Sequence, residues 1–95
     1  MENSVLHVTY PCKPGMAQPI VQAIKDSGVQ ELVRAEDGCF QYDYHISCEH
    51  PDTVVLLELW RDSAALDQHM RQPHMETLKQ LKNQYALDTQ ITRYE

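Results

Sequence analysis

Six side chains of this 95-residue sequence pair reactivity with positions that a fold would cover: Arg34, Tyr44, Glu58, Trp60, His69 and His74. Glu58 stands two residues before Trp60 in the most apolar run of the chain, 53–60, so on a strand the two share one face. A carboxylate there is costly unless something compensates it. Either its pKa rises and it serves as a proton acceptor, or it forms an ion pair with Arg34 or Arg93. The pair is the commoner arrangement for a buried carboxylate. Trp60, the sole tryptophan, is either a flat wall on which an aromatic ligand stacks or a core residue whose indole N–H finds a backbone partner.

His69 and His74 flank Met70-Arg71-Gln72-Pro73. His69 falls near a helix end on its apolar side, and His74 in the first turn of the next helix, where the dipole disfavours protonation. A neutral imidazole beside an apolar cavity is a competent general base for a phenol. The plainer role, capping helix ends, suits His74 better than His69. Tyr44 alternates with Phe40, Tyr42 and Ile46 and is expected to pack in the core, unless its hydroxyl reaches a cavity and orients a substrate oxygen. Cys39 reads as a packed small hydrophobe. No metal is expected: His69 and His74 are five apart across a helix break, unlike an i, i+4 zinc pair. His45, Cys48 and His50 lack a fourth ligand at matching spacing. Gly-rich phosphate loops and Ser-His-Asp order are missing.

Local patterns divide the chain into strands and helices. Residues 5–10 form a strand closed by Pro11, and Lys13-Pro14-Gly15 is a turn. A helix over 16–27 carries Ile20, Ala23 and Ile24 inward and stops at Gly28; 29–33 can add a helical turn. Asp37-Gly38 turns into a second strand, 39–47, with clear alternation. After His50-Pro51-Asp52 comes the strand 53–60, apolar on both faces except at Glu58. Asp62 or Ser63 can cap a short helix to about Met70. Pro73 opens the next, with Met75, Leu78, Leu81 and Tyr85 as its stripe. Residues 89–94 are the last strand.

The order β-α-β-β-α-β is the split βαβ, ferredoxin-like arrangement of an α+β domain. One four-stranded antiparallel sheet with helices on one side leaves its second face to be covered. Val55, Leu57 and Leu59 fall on that face, and a second copy of the sheet is the simplest cover. The expected assembly is a homodimer of dimeric α+β barrel type, with residues 1–95 as its single domain.

Composition narrows the partners. With 14 acidic against 8 basic side chains the formal charge is -6, and the cations are scattered, with Lys25, Lys79 and Lys82 expected on helix surfaces. Nucleic acid and anionic membrane are therefore not expected as partners. Three cysteines without a tight repeated spacing point to reduced thiols. The residues after Met1 do not read as a signal peptide, and no apolar run approaches bilayer length. A cytoplasmic protein is expected.

A family likeness now enters. The strand ending at Tyr10 with Lys13-Pro14-Gly15 begins it, and Arg34-Ala35-Glu36-Asp37-Gly38-Cys39-Phe40-Gln41-Tyr42 continues it. Pro51-Asp52, Glu58-Leu59-Trp60, Ala65-Leu66-Asp67-Gln68-His69 and Pro73-His74 follow in order. Together they resemble the antibiotic biosynthesis monooxygenase family over nearly the whole chain. The resemblance implies oxidation of a small quinol-like or polyphenolic aromatic by molecular oxygen, without metal, flavin or haem. In that reading His69, helped by Glu58, removes a phenolic proton. Trp60 stacks the ring, and Arg34 or Tyr44 steadies the developing oxyanion. Relatives include haem-degrading enzymes, whose residue set has no match here, and an isomerase of a phosphorylated sugar, so family does not fix the reaction. An isomerase or lyase acting on a small oxygenated metabolite and a non-catalytic ligand-binding dimer stand as alternatives.

Overall fold

Strand alternation decides which side chains meet the helices. Along β1 (Ser4–Pro11) and β3 (Thr53–Trp60) every second residue is buried. In the computed structural model, which describes residues 3–94, these two strands pair at the centre of one antiparallel sheet. Their register sets Leu6 opposite Glu58 and Tyr10 opposite Val54. β2 (Cys39–Ile46) joins the outer edge of β3, and β4 (Gln90–Tyr94) the outer edge of β1, giving the order β2-β3-β1-β4. The fold is α+β, as the element order predicts.

Among the described residues, four helices cover one face. α1 (Ala17–Ser27) buries Ala17, Ile20 and Ile24, the latter two fully. Each such aliphatic side chain contributes about 1.5–3 kcal/mol. Gly28, at φ +82, ends α1 and lets the chain restart at once as α2 (Val29–Arg34). The extra turn expected at 29–33 is therefore a separate short helix, turned so that Val29, Gln30 and Val33 face inward. α3 (Ser63–Met70) is capped by Asp62, whose Oδ1 accepts the Ala65 N–H at 2.8 Å. α4 (His74–Tyr85) starts directly after Pro73 and buries Leu78, with Met75, Leu81 and Tyr85 half-buried beside it.

Two sequence expectations need correction. Phe40 does not share a face with Tyr42 and Tyr44. Cys39 pairs with Trp60 and Gln41 with Leu59, so Phe40 is the extra residue of a β-bulge and is 58% exposed. A bulge resets the alternation, and here it turns Cys39 inward. Lys82 is not a surface lysine. It lies seven residues after Met75 and four after Leu78, so it falls on the inward side of α4. It is half-buried there, with its ammonium 5.3 Å from the centre of the Tyr10 ring.

The bulge leads out of a close crossing. Gly38 has φ +84, and a Cβ there would come within 2.6 Å of the Ala65 side chain. Its missing side chain lets the β2 entry pass against the start of α3. Arg61 fastens the same corner with an N–H to the Gly38 carbonyl at 2.8 Å and a two-pronged contact to Asp37 at 3.1 and 3.2 Å. Among the described residues no helix is long and apolar enough to cross a membrane. Cys12, Cys39 and Cys48 are free thiols.

Candidate active site

β3, α3 and the turn before β2 converge beneath the helices, each with a titratable side chain. Glu58 is buried on the inner face of β3, and its Oε1 accepts the Trp60 indole N–H at 2.9 Å. His69, on the last turn of α3, is buried too. Its imidazole lies 4.5 Å, centre to centre, from the Trp60 ring, tilted by 33°. Its Nε2 is 4.0 Å from Glu58 Oε1, and its Nδ1 is 3.1 and 3.2 Å from the two oxygens of Glu36. The first residue of α4 completes the row, with His74 Nε2 at 2.7 Å from Glu36 Oε2.

The donors in this row follow from chemistry. An ionised carboxylate only accepts, so His69 donates Nδ1–H and His74 donates Nε2–H to Glu36. A neutral His69 then has its lone pair at Nε2, on the Glu58 side. The sequence runs His74, Glu36, His69, Glu58, Trp60, with one carboxylate holding two imidazoles and one imidazole lying between two carboxylates.

Burial pushes the Glu58 pKa up, opposed by the Trp60 hydrogen bond and by His69 and Lys82. The Cys39 thiol is pushed up to about 11 by burial and by Glu36 and Glu58, which disfavours the thiolate. Tyr10, Tyr42 and Tyr44 are raised well above the ordinary phenol value, chiefly by burial. Tyr42 and Tyr44 meet hydroxyl to hydroxyl at 3.4 Å, and the Tyr42 and His69 rings meet edge to face with their centres 5.7 Å apart. These phenols stay protonated and serve as neutral donors.

The expected site residues divide. Glu58, Trp60, His69 and His74 lie in one row. Arg34 faces the other way: it binds Asp43 at 2.8 Å and the Tyr42 carbonyl at 3.1 Å. Arg93 donates to Ser4 Oγ at 3.1 Å. The ion-pair expectation for Glu58 thus gives way to a tryptophan N–H and a histidine. Tyr44 packs with Tyr10 and Tyr42. A cavity of about 620 Å³ opens beside the row. Glu36 and His74 form part of its wall, with Arg61, Gln68 and Gln72 adding polar groups and Leu32 an apolar edge. Both imidazole nitrogens that meet Glu36 are spent in hydrogen bonds. Among the described residues no three His, Cys, Asp or Glu side chains are grouped to hold a metal ion.

The antibiotic biosynthesis monooxygenase family matches residues 4–81, a span that takes in every member of this row. The chain belongs to that family. Over 58 residues it is 38% identical to Rv0793 of Mycobacterium tuberculosis, a protein assigned provisionally as a monooxygenase. That match covers 61% of this chain and 55% of the relative, so it spans only about half of the relative's length. It is 28% identical over 80 residues to YgiN of Escherichia coli, named a probable quinol monooxygenase, covering 74% of this chain and 77% of YgiN. A conserved protein of Methanosarcina mazei has the same fold, with a TM-score of 0.88 and 27% identity over 100% of this chain and 93% of its own.

Within this family member, two groups escaped the sequence reading. Glu36 precedes Asp37-Gly38 and looks like one more solvated turn charge. Nothing local marks it, because its partners come from α3 and α4, more than thirty residues on. Lys82 did carry a signal: it interrupts the apolar side of α4 at the heptad position of Met75.

Proposed function

We propose that this protein is a cofactor-independent monooxygenase that oxidises a small quinol-like aromatic with molecular oxygen. The observation that carries the reading is the acid–base row from Glu58 to His74, which ends in the wall of the 620 Å³ cavity. Membership of the family supports oxygenase chemistry, and the name of YgiN supports a quinol as substrate class.

The residues divide the work by depth. A phenolic hydroxyl docked at the wall meets Glu36 and His74, and its proton is taken up by the Glu36–histidine unit. Glu36 is the acceptor, held in place by the Nδ1–H of His69 and the Nε2–H of His74, and Trp60 covers His69 from water. The phenolate left behind is electron-rich enough to reduce oxygen directly, so the protein supplies binding, deprotonation and exclusion of water. Arg61, Gln68 and Gln72 are the groups in reach of a developing oxyanion. Arg34 and Tyr44, assigned that role on sequence grounds, lie outside this cavity's wall.

A homodimer belongs to the same proposal. Val5, Val55, Leu57 and Leu59 make a half-buried apolar strip at the middle of the uncovered sheet face, and a second copy of that face is the cover that matches it.

One observation favours a second reading, an isomerase or lyase. A histidine between two carboxylates can take a proton from one position and return it to another without consuming oxygen. Oxygen uptake decides. Metal-stripped protein is assayed against hydroquinones and polyphenols, with His69→Ala beside the wild type. Chelator-resistant uptake that falls by about 10²-fold or more in the variant is expected, the usual scale for loss of a general base. Uptake unchanged in His69→Ala overturns the base assignment, and no uptake with any substrate moves the assignment to proton transfer without oxygen.

A further inference from the structure

A second cavity, of about 380 Å³, lies between the end of α3 and the face of α4. It does not include Glu36 or His74. Met70, Pro73, Met75 and Leu78 give it an apolar lining, and Lys82 stands among them. Its volume is in the range of small-molecule sites. Methionines adapt to flat rings and make favourable sulfur–aromatic contacts.

Lys82 is the unusual member. It is half-buried, yet no hydrogen bond or ion pair reaches its ammonium among the described residues. Its ammonium lies over the face of the Tyr10 ring, 5.3 Å from nitrogen to ring centre. A cation partly withdrawn from water loses hydration that a ring face only partly replaces. The remaining charges at this cavity are the exposed Glu76 and Lys79, three residues apart on one helix face and of opposite sign. They offset one another and leave Lys82 as the net charge of the lining, with the buried Glu58 acting on it from outside the cavity wall.

We infer that this cavity binds a small organic anion, with its ring against Met70, Met75 and Leu78 and its charged oxygen on the Lys82 ammonium. The class is an aromatic carboxylate or phenolate of one or two rings. The site is separate from the cavity assigned to the quinol and stands independently of the oxygenase reading. Binding there needs no turnover.

The test uses the full chain and a redox-inert pair of probes, 1-naphthoate and the neutral, similarly shaped 1-naphthamide, in equilibrium titrations by calorimetry. Wild-type protein is expected to hold the carboxylate about tenfold or more tighter than the amide, the scale of one charge-assisted hydrogen bond. Lys82→Met, which keeps the length of the stem, brings the carboxylate down to the level of the amide, while Lys79→Met leaves the ratio within about twofold. The methyl resonances of Met70 and Met75 shift on addition of naphthoate. Equal affinity for the two probes, an unchanged ratio in Lys82→Met, or unshifted methionine methyls each overturn the inference. The wild-type ratio and the methyl shifts decide even if the Lys82 variant does not fold. Naphthoate binding without oxygen uptake on any quinol would leave this site standing and remove the oxygenase reading.

Discussion

Along β3, Val54, Leu56, Glu58 and Trp60 are buried under the helices, while Val55, Leu57 and Leu59 are half-covered on the opposite side. The covered face holds the carboxylate and the indole that binds it. The uncovered face holds Val55, Leu57 and Leu59 at the middle of β3, flanked by Gln41, Asp43 and His45 from β2 and by His7 and Thr9 from β1. A strand arranged for stability alone would be the reverse, with its charge in water and its leucines inside. The polar group sits where desolvation is greatest, which suits proton chemistry. The apolar side chains sit where they remain available to another surface.

The difference is most directly broken at Trp60. Trp60→Ala removes a fully buried side chain and takes the N–H donor from Glu58. Urea denaturation is expected to show a loss of about 3–5 kcal/mol, a large part of the stability of a domain this size. A loss under about 1 kcal/mol, the ordinary effect of any substitution, would mean that the inner face does not depend on the indole.

The outer face is tested at Leu57. Leu57→Lys places a charge in the middle of the apolar strip, and sedimentation equilibrium is expected to move from dimer to monomer with an unchanged circular dichroism spectrum. Wild-type protein that is already a monomer at the same concentration would remove the contrast in purpose between the two faces.

The smallest effect is a slope with pH. Burial raises the Glu58 pKa above the usual 4.5, so the folded chain keeps this proton to higher pH than the unfolded chain. The contribution of Glu58 is thus most favourable at and below the ordinary glutamate range. It weakens as pH climbs through the raised value. Glu58→Gln lacks that decline. Denaturation of both proteins from pH 4.5 upward should show the variant gaining on the wild type as pH rises. A gap constant with pH would mean that Glu58 titrates normally.

Much of the fold was legible because it follows from local rules. The alternation of β3, the Gly28 stop, the Asp62 cap and the Met75–Leu78–Tyr85 stripe each depend on residues within a few positions of one another. Glu58 and Trp60 could be placed on one face by counting. The bulge at Phe40 could not be foreseen, since it is a matter of register between β2 and β3 and leaves no mark in the alternation of either strand.

By itself, then, the sequence determined the α+β order, the helix-covered face and four of the five residues in the acid–base row, along with the family they belong to. Tertiary structure alone decided that Glu36 holds both histidines, that Glu58 answers to Trp60 and His69 rather than to an arginine, and that Lys82 turns inward over Tyr10. The physical reason is range. Helix and strand periodicities are set by neighbours along the chain, whereas a buried charge takes its partner from whichever element packs closest, and that partner lies 33 residues away for Glu36 and His69.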